Sequence, residues 1–217
     1  GLGAQVEFVS VSGSDEARDY AQNAFKKSGV NAHLIVDESR PTTIKQKFRS
    51  KGKSLLRVNH LHQDAINSSL QDKISKIIES VIQDVDLLVF SDFNYGCLPQ
   101  LLVDKLIKLA NANNVMLAAD SQSSSQIGDI SRFKGVNLIT PTEREARISS
   151  RNHEDGLVVL VEQLKKQSSA HNIFLKIGEE GMLIHSGDIN GNEFLTDRIY
   201  ALNTSPRDVA GAGDSLL

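Results

Sequence analysis

The run Asp208-Val209-Ala210-Gly211-Ala212-Gly213-Asp214-Ser215 carries the sharpest chemical signal in the sequence. Three small residues in succession, Gly211, Ala212 and Gly213, let a backbone turn tightly and aim consecutive N–H groups into one concavity. A helix starting there adds its positive dipole end, and the result is a hole for an anion. Asp214 stands at the mouth of that hole. A carboxylate so placed can take a proton from an attacking hydroxyl while the amides stabilise the anionic group being transferred. The same residues also satisfy a plainer description, a flexible turn in which Asp214 caps the next helix.

Other segments offer ligand chemistry. Thr140-Pro141-Thr142-Glu143-Arg144-Glu145-Ala146 follows an apolar run and opens a helical one, with Thr142 and Glu145 at capping-box spacing. Lys176-Ile177-Gly178-Glu179-Glu180-Gly181-Met182 lies between two strand-like runs, and its glycines fit a turn between antiparallel strands. Lys45, Lys47, Arg49, Lys51, Lys53 and Arg57 place six cations within thirteen residues. On alternating strand faces at most half of them line a pocket, and the rest read as edge charges that discourage strand-to-strand pairing. Lys45 and Arg57 are the candidates for an anionic substrate. Asp92 and Asp120 fall at the carboxyl ends of expected strands, where open α/β sheets bind ligands and where loops also need caps. The six histidines are scattered without metal-ligand spacing and receive no catalytic role.

The elements that must position these residues alternate along the chain. Strands are expected at 6–11, 87–90, 115–119, 136–139 and 173–177, as short apolar runs suited to burial on both faces. Helical spacing runs from Asp15 to Ser28 before Gly29, through Leu102, Leu106, Leu109 and Ala110, and through Leu157, Leu160, Val161 and Leu164. Such alternation predicts a mostly parallel sheet covered by helices. Residues 35–62 break the pattern. Two strand-like runs there, Thr42–Arg49 and Ser54–Asn59, join through Gly52 as a β-hairpin without a crossover helix, placed as a lid within one domain spanning 1–217. The serine cluster Ser121 to Ser125 reads as a solvated loop.

Composition narrows the function classes. The 217 residues are 40% hydrophobic and 24% charged with a net charge of −3, which fits one large domain and gives no global field for nucleic acid or anionic lipid. No apolar stretch approaches the roughly 20 residues of a membrane span. The single cysteine, Cys97, forms no internal disulfide, so a reducing, cytoplasmic setting is expected. A start at Gly1 without methionine and an end directly after the glycine cluster lead to the expectation of a piece truncated at both ends.

The Gly-Ala-Gly-Asp run after Asp208, with the Thr140 and Lys176 segments in the same order, resembles the ribokinase-like sugar kinases, the PfkB carbohydrate kinases. The resemblance implies an α/β three-layer sandwich and phosphoryl transfer from Mg-ATP to a sugar hydroxyl. It makes Asp214 the catalytic base and gives Gly211, Ala212 and Gly213 the anion hole. It assigns Thr142, Glu143, Arg144, Glu145, Lys176, Gly178 and Gly181 to the nucleotide, with Glu145 ordering a magnesium-bound water. Lys45, Arg57 and Asp92 would face the sugar phosphate. Within the family, Glu7–Val11, Arg40–Lys45, Leu55–Val58, Ser91–Gly96 and Thr140–Ala146 look most like the kinase domain of bacterial heptose-7-phosphate kinases of ADP-heptose biosynthesis. That likeness implies a fused or separate nucleotidyltransferase, and a homodimer through the hairpin. Kinases of ribose, fructose or a fructose phosphate remain open. So does a non-catalytic sensor, since Thr142 and Ala210 stand where the family has asparagine and often threonine.

Overall fold

The computed structural model describes residues 3–50, 53–123, 127–187 and 194–202. The chain divides into two compact units, the first formed by residues up to Val81 with Tyr95–Leu102, the second by Ile82–Asn94 with residues from Val103 onward.

The first unit opens with β1 (Glu7–Ser12), α1 (Glu16–Lys27) and β2 (Asn31–Val36), and the two strands pair in parallel from Glu7 against Asn31 to Ser12 against Val36. α1 starts where Asp15 holds extended backbone and its Oδ1 accepts the Arg18 N–H at 3.0 Å. It ends at Ser28, and Gly29 turns the chain away at φ +69°. Phe25 of α1 stacks on Phe8 of β1 with centroids 4.6 Å apart. α2 (Ser68–Val81) repeats buried residues at helical spacing, Leu70, Ile74 and Ile78, and packs them toward β1 and β2.

Between these lies the hairpin, β3 (Ile44–Ser50) against β4 (Lys53–His60), antiparallel, with Lys51 and Gly52 outside the described residues. Phe48 opposes Leu56 and Arg49 opposes Ser54, so Leu55 is the extra residue of a bulge. The register decides which of the cations share a face. Lys45, Lys47 and Arg49 alternate onto one face, and Arg57 joins them because it lies directly opposite Lys47. Ile44, Phe48, Leu56 and Val58 take the other face. The Lys45 ammonium also sits 5.3 Å from the centre of the Tyr95 ring.

One guanidinium anchors the roots of the hairpin. Arg40 donates from Nε to Asp37 Oδ2 at 2.6 Å, from one terminal nitrogen to the Tyr95 carbonyl at 3.2 Å and from the other to the Asp64 carbonyl at 2.9 Å. Burial alone would raise the Asp37 carboxyl. The Ser39 hydroxyl and amide and the Arg40 charge outweigh it and hold the group below the usual carboxylate range. Asp15 serves twice, capping α1 and accepting the Thr42 N–H at 2.8 Å, while Thr42 Oγ1 accepts the Gly13 N–H at 3.0 Å.

The second unit is built on a six-stranded sheet ordered β10-β9-β8-β7-β6-β5. Its strands are β5 (Leu87–Asp92), β6 (Met116–Ser121), β7 (Leu138–Ile139), β8 (Asn172–Lys176), β9 (Met182–Gly187) and β10 (Phe194–Ile199). β5 to β8 run parallel, and β9 and β10 add antiparallel. α3 (Gln100–Ala112), α4 (Glu143–Ser150) and α5 (Leu157–Ser168) fall between strands, as the alternation predicts. β6 is buried at every residue from Leu117 to Ser121, and Ile139, Leu160, Leu164, Ile173 and Leu175 are fully enclosed. Phe90 and Phe133 close one part of the core with ring centres 5.3 Å apart. β7 is shorter than expected. At Asn137 the side-chain oxygen accepts the Leu117 N–H at 2.8 Å, in place of a backbone ladder bond.

Within the serine cluster Ser121 and Ser123 are buried rather than solvated: Ser121 ends β6 directly beside Asp92 of β5 and its hydroxyl donates to that carboxylate, and the Ser123 N–H donates to Glu145. Residues 124–126 lie outside the described ones.

Gly96 adopts φ +76°, and a Cβ there would stand 2.0 Å from the Asp64 carbonyl oxygen. Gly29 has the same backbone sign with open space around it. Gly29→Ala should therefore cost roughly 1 kcal/mol for conformation alone, and Gly96→Ala roughly 2–3 kcal/mol, since backbone must also move. Urea denaturation of the two variants checks this. Equal losses would show that the Asp64 contact carries no weight.

Candidate functional site

Four buried carboxylates stand at the carboxyl ends of parallel strands, Asp37 in the first unit and Asp92, Asp120 and Glu145 in the second. Asp92, the last residue of β5, is 5% exposed. Its Oδ1 accepts the Asn94 N–H at 2.9 Å, and its Oδ2 accepts from Arg132 at 2.8 Å and from the Ser121 hydroxyl at 3.3 Å. Asp92 is thus both a loop cap and half of a buried ion pair. Asp120 in β6 accepts from Lys176 Nζ at 3.1 Å and from the Thr140 hydroxyl at 3.2 Å, both on Oδ1. Burial pushes the Asp120 carboxyl up more than the Lys176 ammonium pulls it down, and the nearby negative charge of Glu145 pushes the same way.

Thr142 and Glu145 form a complete capping box at the start of α4. Thr142 Oγ1 accepts the Glu145 N–H at 3.3 Å, and Glu145 Oε2 accepts the Thr142 N–H at 2.8 Å. Glu145 Oε1 accepts the Ser123 N–H at 3.1 Å, so this one buried side chain ties the strand end after β6 to the helix after β7. Each of its oxygens retains a second lone-pair direction beyond the amide it binds. Thr142 also bridges to Lys176 in parallel, and the Lys176 N–H donates to the Pro141 carbonyl at 2.8 Å.

Between β8 and β9 the chain makes a short 3₁₀ turn at Gly178–Glu180. Gly178 adopts φ +65° and Gly181 φ +96°, and a Cβ on Gly181 would come 2.1 Å from the Ile199 carbonyl. An antiparallel turn is therefore what the glycines provide here, with the strand-end lysine beside them.

These parts surround a cavity of about 1020 Å³. Of the seven residues assigned to a nucleotide from sequence, Thr142, Glu143, Arg144, Lys176, Gly178 and Gly181 line it. The seventh, Glu145, is not among the lining residues and is bonded to the Thr142 and Ser123 amides. Ile148, Ile177, Met182 and Tyr200 contribute apolar lining. A cavity with cations and an apolar lining suits a ligand with a flat apolar body and an anionic tail, and its volume admits one of nucleotide size.

Of the four basic lining residues, two escaped the sequence reading, Arg147 and His153. Arg147 grips Glu143 at 2.8 Å one helical turn away, a pairing visible in the i, i+4 spacing. His153 lies beyond the end of α4 and carries no such signal. Lys45 and Arg57 belong to the cationic face of the hairpin in the first unit. Asp214, Gly211, Ala212 and Gly213 lie outside the described residues. Among the described residues no group of three His, Cys, Asp or Glu side chains is arranged to hold a metal, and no helix is long and apolar enough to cross a membrane.

Known proteins resemble the chain in sequence and in fold. The chain is 28% identical over 220 residues to the bifunctional protein HldE of a Nitratiruptor species, covering all of this chain and 44% of that protein. It is 31% identical over 223 residues to HldE of Pseudomonas aeruginosa, covering all of this chain and 43% of that protein. The chain thus spans less than half the length of these relatives. Among solved structures, phosphofructokinase-2 from Escherichia coli in complex with potassium superposes with a TM-score of 0.73 at 13% identity, over 99% of this chain and 67% of that one. Ribokinase from Giardia lamblia gives 0.70 at 21%, over 96% and 62%. The fold is therefore ribokinase-like. The profile of the pfkB family carbohydrate kinases matches residues 1–217, and the chain belongs to that family.

Proposed function

We propose that the chain is the kinase part of an enzyme that transfers the terminal phosphoryl group of ATP to the anomeric hydroxyl of heptose 7-phosphate, in the cytoplasm. The observation that carries the kinase reading is the cavity at the carboxyl ends of the strands, lined by six of the residues that the family resemblance assigns to the nucleotide. Similarity to the bifunctional HldE proteins along the whole chain supports a heptose rather than another sugar. Their bifunctional name supports a partner activity outside the matched part, read here as a nucleotidyltransferase. The hairpin favours a phosphorylated sugar, since Lys47 directly opposite Arg57 is a like-charge pair that an anion would relieve. The exposed Phe48, Leu55 and Leu56 support a homodimer through the same hairpin.

In this reading Lys176 and Arg144 hold the nucleotide phosphates, and the apolar lining takes the base. Asp214 removes the proton from the sugar hydroxyl, and the amides of Gly211, Ala212 and Gly213 stabilise the charge on the moving phosphoryl group. Asp92, already bound to Arg132, would keep its remaining acceptor capacity for the sugar. Bound magnesium supplies neutralisation of the phosphate charge, and Glu145, with its two spare lone-pair directions, is the residue that would hold its water. Catalysis then rests on positioning and electrostatics.

Coupled ADP release by the full-length protein with Mg-ATP tests the reading, comparing heptose 7-phosphate with ribose, fructose and fructose 6-phosphate. Turnover on the heptose alone is expected. Turnover on another sugar would keep the chemistry and discard the substrate, and tight ATP binding without turnover would favour a sensor. Asp214→Asn should abolish turnover and leave ATP affinity within a few-fold; full activity in that variant would remove Asp214 from the chemistry. Arg57→Ala should raise KM for heptose 7-phosphate roughly tenfold with kcat retained, as for loss of one charge-assisted hydrogen bond. An unchanged KM would free the hairpin from substrate binding.

A further inference from the structure

The proposed chemistry leaves Asp120, a buried carboxylate paired with the cavity-lining Lys176, unused. Asp120 is 4% exposed, and burial keeps its carboxyl above the ordinary range despite an ammonium 3.1 Å away. A buried pair of this kind adds little stability over apolar residues of the same volume, and a perturbed carboxylate beside a cleft is a candidate functional group. What Asp120 contributes is direction. Lysine is a point charge on a flexible four-carbon stem, and it loses much rotamer freedom when a ligand immobilises it.

Here the immobilisation is complete in advance. The Lys176 backbone is fixed by its N–H on the Pro141 carbonyl and by the bridge to Thr142. The Asp120 oxygen that receives the ammonium is itself held by the Thr140 hydroxyl, and Thr140 is fully buried. Among the described residues Lys176 Nζ spends one of its three donors, on Asp120, while its side chain is 16% exposed and lines the cavity.

We propose that Asp120 is a positioning residue that aims the Lys176 ammonium at the anionic tail of the ligand in this cavity, a polyphosphate. The inference rests on the reading of the cavity as a nucleotide site. Asp120 touches no reacting atom. It acts through Lys176 by removing the ordering cost that binding would otherwise carry, and the two remaining donors are left for phosphate oxygens.

The test is a double-mutant cycle on the full-length protein, with affinities for Mg-ATP and for inorganic tripolyphosphate measured by calorimetry and melting temperature recorded alongside. Asp120→Asn keeps shape and removes charge, Lys176→Met removes the ammonium, and the double variant removes both. Asp120→Asn is expected to weaken both probes about tenfold, in line with a misdirected charged hydrogen bond. In the Lys176→Met background the same change should do nothing further, since no ammonium is left to aim. If Asp120→Asn does not fold, Asp120→Ser, which retains a hydroxyl toward Thr140, enters the same cycle. Equal weakening in both backgrounds would show that Asp120 acts on the fold and overturn the inference. Unchanged or tighter binding by Asp120→Asn would show that the carboxylate only competes for the ammonium, and would also overturn it. Wild-type protein that binds neither probe would instead overturn the nucleotide reading of the cavity, and this inference with it.

Discussion

A carboxylate taken out of water at the end of a strand must find its hydrogen-bond donors within the chain, and this fold meets that demand four times. Asp37 after β2 is met by Arg40 and Ser39, Asp92 of β5 by Arg132, Asp120 of β6 by Lys176, and Glu145 after β7 by two backbone amides. An unpaired buried carboxylate would cost several kcal/mol. For Asp92, Asp120 and one of the two Glu145 bonds the partner lies far away in sequence, whereas Asp37 is met within its own loop.

The same arrangement separates two kinds of charge. Asp92 and Arg132 bind each other deep in the second unit, and Arg132 also lies over the Phe133 ring with 4.5 Å to its centre, so this pair welds core to loop. Lys176 and Asp120 sit where the cavity begins, and there the cation keeps donors in hand. The hairpin of the first unit goes further. Its register collects cations on one face and sets Lys47 directly opposite Arg57, a like-charge pair.

The type of most elements was legible from residue spacing, while β2, α2 and β10 were not among the expected ones. The α1 cap at Asp15, the Gly29 turn, the capping box at Thr142 and Glu145, and the strand runs of β5, β6 and β8 all follow from local rules that act within a turn or two. What escaped was long in range. Arg132 meets Asp92 across 40 positions and Lys176 meets Asp120 across 56, and no periodicity encodes such partners. Ser121 and Ser123 read as solvated because serine composition says nothing about which strand end or helix start supplies the partner, here Asp92 of the neighbouring β5 and Glu145 of α4. The bulge at Leu55 hid the hairpin register, since a single extra residue leaves the composition of both strands unchanged. The two short segments singled out by the family resemblance, around Thr142 and around Lys176, are distant in sequence and line one cavity.

The grip of Arg40 on the hairpin roots has a mechanical meaning. One side chain holds Asp37 before β3, the Asp64 carbonyl after β4 and the Tyr95 carbonyl of a third segment, while Asp15 and Gly13 pin Thr42 beside it. The hairpin is a cantilever clamped at both legs, so its bending accumulates with distance from Thr42 and its pitch is decided at the root. Changes of length or composition toward the tip alter reach alone. Descendants of this chain could therefore exchange hairpin tips freely, and refit the arm to a different ligand, so long as the arginine at its base is left in place.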